Sequence, residues 1–187
     1  MPLITGKEGE KDALLEIAKL MLLSARTAPK SAGLDDILTV MVFDTEKEDI
    51  AVEMDKIALE RQNAAAGFKR DGQNVRDSEA ILFIGIRGTK KFGLDCGGCG
   101  YSTCAEFEKA EKRLRQDFEG PNCIFKLLDL GIALGSAAKT ASILNADNRI
   151  MYRVGTAAKR LGLLPEASII MGIPISARGK NIYFDRK

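Results

Sequence analysis

The chain has 187 residues, of which 45% are hydrophobic and 29% charged, so it allows one domain with a sizeable core and little room for a second. Its net charge of +2 argues against nucleic acid or an anionic membrane surface as a partner. Histidine is absent, which excludes Cys–His metal sites, Ser–His and Cys–His catalytic pairs and a histidine general base.

The N-terminus and the hydropathy pattern indicate the compartment. Residues 1–10 are polar and include acidic side chains, unlike a secretory signal or a transit peptide. No apolar run approaches the roughly 20 residues that span a bilayer. We therefore expect a cytoplasmic protein without membrane contact, and in that compartment clustered cysteines are more often a metal site than a disulfide framework.

The first half of the chain predicts two helices and two strands. Apolar residues recur at helical spacing from Lys11 to Arg26 and again from Asp49 to Phe68. The nearly continuous apolar runs Ile37–Phe43 and Ala80–Ile86 predict strands buried on both faces. The polar segment Lys69–Asp77 is typical of a turn region.

The second half predicts a helix rich in small residues at Leu127–Leu144, a helix at Arg149–Leu161 and a third buried strand at Ala167–Ile173. We expect one α+β domain over residues 1–187, with a central sheet flanked by helices. The cysteine-bearing residues 93–124 would form an insertion within it.

All four cysteines fall in the pattern C-x2-C-x4-C-x18-C, which places them at Cys96, Cys99, Cys104 and Cys123. Three glycines separate the first three cysteines, and glycine lets backbone N–H groups turn towards an anionic core. This spacing favours a cubane iron–sulfur cluster. Tetrahedral zinc also accepts four thiolates and stays an alternative, as do free or disulfide-paired cysteines.

If all four cysteines bind the same cluster, the helix that begins near Cys104 can have only a limited length. A straight helix as far as Phe118 would end about 20 Å away, too far for the remaining residues to return Cys123 to the same site. We therefore expect the helix to end near Leu114 and the chain to turn at Gly120-Pro121.

The cysteine segment resembles the 4Fe–4S module of corrinoid iron–sulfur proteins and of the B subunit of Rnf electron-transport complexes. The shared motif is Cys96-Gly-Gly-Cys-Gly-Tyr-Ser-Thr-Cys-Ala105, followed by Phe107 and Cys123. The whole chain is similar to an uncharacterised prokaryotic family of ferredoxin-domain-containing proteins. That similarity includes Ala25–Lys30, Leu128–Ile132, Asp147–Tyr152 and Gly172–Phe184.

A further resemblance is to FMN-dependent nitroreductases. Residues 28–37 occupy the place of the nitroreductase loop between the first helix and the first strand, and Gly172 and Pro174 match the closing Gly-x-Pro turn. The resemblance implies a nitroreductase-like sheet, a homodimer that encloses FMN between its subunits, and a set of FMN contacts. These contacts would be Arg26, Thr27, Lys30, Ser31 and either Arg178 or Lys180. Arg26 and Lys30 also fit a basic helix C-terminus that complements its own dipole, and Arg178 and Lys180 also fit an exposed basic turn.

Three functions stay open from the sequence. The first is a 4Fe–4S oxidoreductase of unknown substrate in which FMN manages two-electron chemistry. The second is an electron carrier or redox sensor without flavin, and a zinc-stabilised binding protein is a third. The electron partner, a redox protein or a small-molecule substrate, is not defined by the sequence.

Overall fold

The computed structural model describes residues 3–185; the two residues at each end of the predicted 1–187 domain lie outside this range. The helices are α1 (Gly6–Thr27), α2 (Glu46–Glu60), α3 (Ala65–Arg76), α4 (Cys104–Lys109), α5 (Ile124–Ile143) and α6 (Tyr152–Arg160). The strands are β1 (Ile37–Phe43), β2 (Ala80–Ile86), β3 (Arg113–Leu114), β4 (Glu119–Gly120), β5 (Asp147–Asn148) and β6 (Ile169–Ser176).

The main sheet is antiparallel and has the strand order β1-β2-β6-β5. The bounds predicted for β1 and β2 are confirmed, whereas the third strand begins later than predicted because Ala167 donates its N–H to a turn carbonyl, that of Leu164. The prediction that β1 is buried on both faces is wrong. It lies at the edge of the sheet and is largely half-buried, while β2, between two neighbours, is fully buried.

Helices cover both faces of this sheet. One core contains residues of α1 and α5, and the other contains residues of α2, α3 and α6. The packing of α5 and α6 on the sheet agrees with the sequence prediction. The small residues of α5 are divided, however: Ala133, Ala137 and Ala141 are buried, whereas Gly131 and Gly135 face open space. Helix α6 approaches the sheet closely at Gly155, where a Cβ atom would lie 1.9 Å from the carbonyl oxygen of Ile170.

The helical region between β1 and β2 corrects the sequence prediction. The predicted helix Asp49–Phe68 is divided, because α2 ends at Glu60 and α3 begins at Ala65. The supposed turn region Lys69–Asp77 lies mostly inside α3. This helix buries a charged residue, Asp71, whose carboxylate contacts Arg153 of α6 at 3.0 Å. The buried face therefore shows no apolar periodicity in the sequence.

Candidate metal centre

The four cysteines line one small, partly open cavity. Cys96 is exposed, Cys99 and Cys104 are half-buried, and Cys123 is buried. The wall between them is largely apolar and includes Phe92, Leu94, Phe107 and Ile124. The structure thus brings the four predicted metal ligands to one place, beside a largely apolar wall.

The loop before α4 presents three of the cysteines. Gly97 and Gly100 have φ angles of 71° and 87°, which a side chain disfavours, and the Gly100 N–H closes a turn on the Gly97 carbonyl at 3.0 Å. Asp95 donates its backbone N–H to the sulfur of Cys104 at 3.3 Å, and its carboxylate accepts from the Cys104 N–H at 2.5 Å. Such N–H···S contacts are typical of cysteines that bind an iron–sulfur cluster.

Cys123 is held by the end of β2 and by α5. It is the N-cap residue of α5, and its N–H donates to the carbonyl of Gly88 at 2.8 Å. Gly88 in turn donates its N–H to the hydroxyl of Ser168 at 3.0 Å. The fourth ligand is therefore fixed by a regular scaffold, at a helix end whose dipole favours negative charge.

The chain returns to the site by a shorter route than the sequence predicts. Helix α4 ends at Lys109 rather than near Leu114, and β3 and β4 form a small hairpin. The reversal lies between Arg115 and Phe118, whose backbone groups are 3.1 Å apart, so the prediction of a turn at Gly120-Pro121 is wrong. The hairpin is tied to α2 by an ion pair between Arg61 and Asp117 at 2.5 Å. The hairpin and its ion pair with Arg61 hold this segment in place, so that the chain returns to the cavity at Cys123.

Among residues 3–185, no group of three or more Asp, Glu, Cys or His side chains is arranged to hold a single metal ion. This finding is compatible with the shared cavity. One zinc ion with sulfur ligands at about 2.3 Å holds them about 3.8 Å apart, whereas a cubane spaces its four thiolates more widely. The donor set and the apolar wall fit a cluster.

The predicted flavin contacts near the end of α1 already have partners in the protein. Arg26 donates to the carboxylate of Asp35 and to the carbonyl of Ile37, the latter at 2.9 Å. Lys30, with a side chain 8% exposed, donates to backbone carbonyls of residues 26 and 28. Thr27 donates to the carbonyl of residue 23 at 3.0 Å, and Ser31 donates through its N–H and its hydroxyl to one oxygen of Asp129 at 2.9 and 2.8 Å.

The remaining predicted flavin contacts lie elsewhere. Arg178 lines a cavity together with Lys7 and Lys11 at the start of α1, and Lys180 pairs with Asp185 at 2.7 Å. Fifteen residues of helix separate Lys11 from Arg26, which corresponds to about 22 Å. Arg26 and Arg178 therefore do not converge within one chain. Sequence reasoning missed Lys7 and Lys11, because only the folded chain brings them beside residue 178.

Comparisons with known proteins place the chain in a family. A family model described as "Uncharacterized protein containing a ferredoxin domain (DUF2148)" matches residues 119–186. An uncharacterised protein of Archaeoglobus fulgidus is 46% identical over 184 residues, which cover 98% of this chain and 97% of the relative. The chain belongs to this ferredoxin-domain family. The residues matched by the family model include Cys123 and begin after the other three cysteines.

Solved structures with a similar fold include nitroreductases. A nitroreductase with bound FMN from Desulfitobacterium hafniense has a TM-score of 0.59 at 14% identity, over 88% of this chain and 78% of that one. A nitroreductase-like family protein from Bacillus cereus has a TM-score of 0.58 at 9% identity, over 92% and 79% of the two chains. The predicted nitroreductase-like fold of this ferredoxin-domain protein is confirmed, and at these identities the likeness concerns the fold alone.

None of the helices within residues 3–185 combines the length and the hydrophobicity needed to cross a bilayer. The cytoplasmic location stays a prediction.

Proposed function

We propose that this ferredoxin-domain protein is an iron–sulfur redox protein that holds a 4Fe–4S cluster on Cys96, Cys99, Cys104 and Cys123. The observation that carries the proposal is the cavity lined by all four cysteines of the chain. When bound, such a cluster supplies one-electron transfer. The chain contributes the cysteine sulfurs, a backbone N–H on the sulfur of Cys104, and a largely apolar cavity wall.

The first prediction concerns the visible spectrum of protein purified without oxygen. We expect a broad absorbance near about 400 nm that dithionite bleaches, as thiolate-bound iron–sulfur clusters show. Structured flavin bands in addition would indicate FMN. A colourless protein that contains one zinc ion would favour the zinc-stabilised alternative, and this outcome would contradict the proposal.

A second cofactor, FMN, is supported by a buried polar atom of α5 next to the loop that follows α1. Asp129 is buried, and its Oδ2 atom has no hydrogen-bond partner within the described residues, although Oδ1 accepts from Ser31. A ring N–H of a flavin is the kind of donor that this oxygen lacks. Cys123 and Asp129 are separated by six residues on α5, about 9 Å, so this site would lie close to the cluster. We therefore infer an oxidoreductase that uses both the iron–sulfur cluster and FMN.

The phosphate of FMN would fit Arg178, Lys7 and Lys11 better than the residues predicted at the end of α1. Lys30 is buried among carbonyl groups, whereas the cavity beside Arg178 is open and contains three basic side chains. Two of the three also have protein partners: Lys11 pairs with Asp44 at 3.0 Å, and Arg178 donates to the carbonyl of residue 77. Two carboxylates, Glu10 and Glu79, line the same cavity, and burial raises the pKa of the Glu79 carboxyl above its ordinary value. Because this cavity lies far from Asp129, one flavin could contact both only across two chains.

We also propose a homodimer. Helices α1 and α5 contact each other and leave an apolar outer surface, which we call the α1–α5 face and which consists of Leu20, Leu23, Leu128, Ile132 and Ile143. Their exposed fractions lie between 46% and 67%. Gly131 and Gly135, on the same helix, have no side chain and face open space, so a helix of a second chain could pack closely there. A second copy of the chain would cover this surface, which water disfavours.

The homodimer is tested by Ile132→Glu. We expect this change to convert a dimer into a monomer in light scattering, because the partner would have to bury a charge. Leu59→Glu is the matched control: Leu59 is 77% exposed on α2, on the opposite side of the sheet, and its exchange should leave the dimer intact. A wild-type monomer would remove the shared flavin site and favour the electron carrier without FMN.

A further inference from the structure

A buried charge cluster lies immediately behind the cysteine cavity. Lys126 is 1% exposed and its ammonium contacts the carboxylate of Asp36 at 2.7 Å. Lys90 contacts the other oxygen of that carboxylate at 2.9 Å from a largely exposed position. One carboxylate therefore faces two ammonium groups, and the cluster carries a net positive charge. We call these three residues the Lys126 triad.

Phe92 joins the triad to the cavity. The Lys126 ammonium lies 5.3 Å from the centroid of the Phe92 ring, and the same ring lines the cavity of the four cysteines. Phe92 also stacks on Phe125 with the ring centroids 5.2 Å apart, which holds it in place. Lys126 is in the first turn of α5, three residues after Cys123. An aromatic ring, rather than water, thus separates the ammonium from the cavity.

Burial determines how far this charge acts. A buried ammonium costs free energy unless it is paired, and Asp36 supplies the pair. Burial alone would raise the pKa of the Asp36 carboxyl, but hydrogen bonds from Lys126 and Lys90 outweigh it and hold this pKa below its ordinary value. Asp36 is therefore ionised at neutral pH. Because Lys126 and Asp36 are buried and the Phe92 ring lies between the ammonium and the cavity, their charges are screened less than surface charges are.

We propose that the Lys126 triad sets the reduction potential of the cluster, with Lys126 favouring the reduced state and Asp36 opposing it. The inference rests on the proposed function, since it requires a cluster on the four cysteines. Reduction adds one electron, supplied in the test by dithionite, to a group that is already anionic. A nearby positive charge stabilises this added negative charge and a nearby carboxylate destabilises it. Lys126 and Asp36 are positioning and tuning residues, not ligands.

The test is a dithionite titration of the cluster-loaded protein, followed in the visible spectrum and by electron paramagnetic resonance. Lys126→Met should lower the equilibrium constant for reduction about tenfold, or about 59 mV for a one-electron couple. Asp36→Asn should change it in the opposite direction by a few-fold. Lys139→Met is the matched control, because Lys139 is exposed on α5 and lies more than three turns farther from Cys123.

The opposite signs separate tuning from a structural role. A loss of packing in both variants would lower their melting temperatures without moving the two potentials in opposite directions. Unchanged potentials, or shifts of the same sign, in variants that keep their cluster would overturn the inference and leave the proposed function intact. Failure of the wild type to bind a cluster would overturn both. If Lys126→Met does not fold, the sign of the Asp36→Asn shift decides.

Discussion

Exchange of Cys123 for serine should reduce the iron bound per chain by at least about tenfold, because a ligand substitution costs no less than the loss of an outer-shell partner. The variant should still fold. Cys123 is the N-cap residue of α5, and serine is among the best N-cap residues, so the start of the helix is preserved or improved. Iron content, visible absorbance and the far-ultraviolet circular dichroism spectrum measure these effects separately.

Ser102→Ala is the control for this loss. Ser102 is exposed in the same loop as Cys99 and Cys104, and its backbone N–H, which donates to Glu106 at 3.0 Å, is unaffected by the change. We expect full iron content in this variant. Retention of the cluster in Cys123→Ser would show that Cys123 is not a ligand, and the convergence of the four cysteines would then have another cause.

Gly155→Ala should lower the free energy of unfolding by about 3 kcal/mol, at the upper end of the range for overpacking of a core. A Cβ atom on Gly155 would lie 1.9 Å from the carbonyl oxygen of Ile170, and backbone cannot move aside as a side-chain end can. Helix α6 would have to shift from β6, although alanine has the higher helix propensity. The urea midpoint at unchanged m-value measures the loss.

Gly9→Ala separates packing from propensity. Gly9 lies in α1, and a Cβ there would meet only Ile4, at an ordinary distance of 3.7 Å. This control should be neutral or gain up to about 1 kcal/mol. Equal effects of the two substitutions would contradict the close approach of α6 to the sheet.

The strands were predictable because their apolar runs are short and nearly continuous. Ile37–Phe43 and Ala80–Ile86 have the bounds that the sequence predicts. Two parts were not predictable from periodicity. Helix α3 buries Asp71 against Arg153, a pairing that only the tertiary structure creates. Strand β5 has two residues, too few to show a period.

The candidate site also has parts that the sequence predicts and parts that it does not. The spacing of the four cysteines, with glycines between them, was sufficient to predict that they meet. The flavin contacts came from a resemblance, and the structure shows Arg26 and Lys30 paired with groups of their own chain. The contact between Lys126 and Asp36 joins the start of α5 to the residue just before β1, and no local pattern marks it.

The central claim is that the four thiolates hold a cluster, and the most direct test is iron and acid-labile sulfide analysis of wild-type protein reconstituted without oxygen. We expect about four iron and about four sulfide per chain. One tightly bound zinc or iron per chain without sulfide would contradict the claim, because a single tetrahedral ion requires no inorganic sulfur.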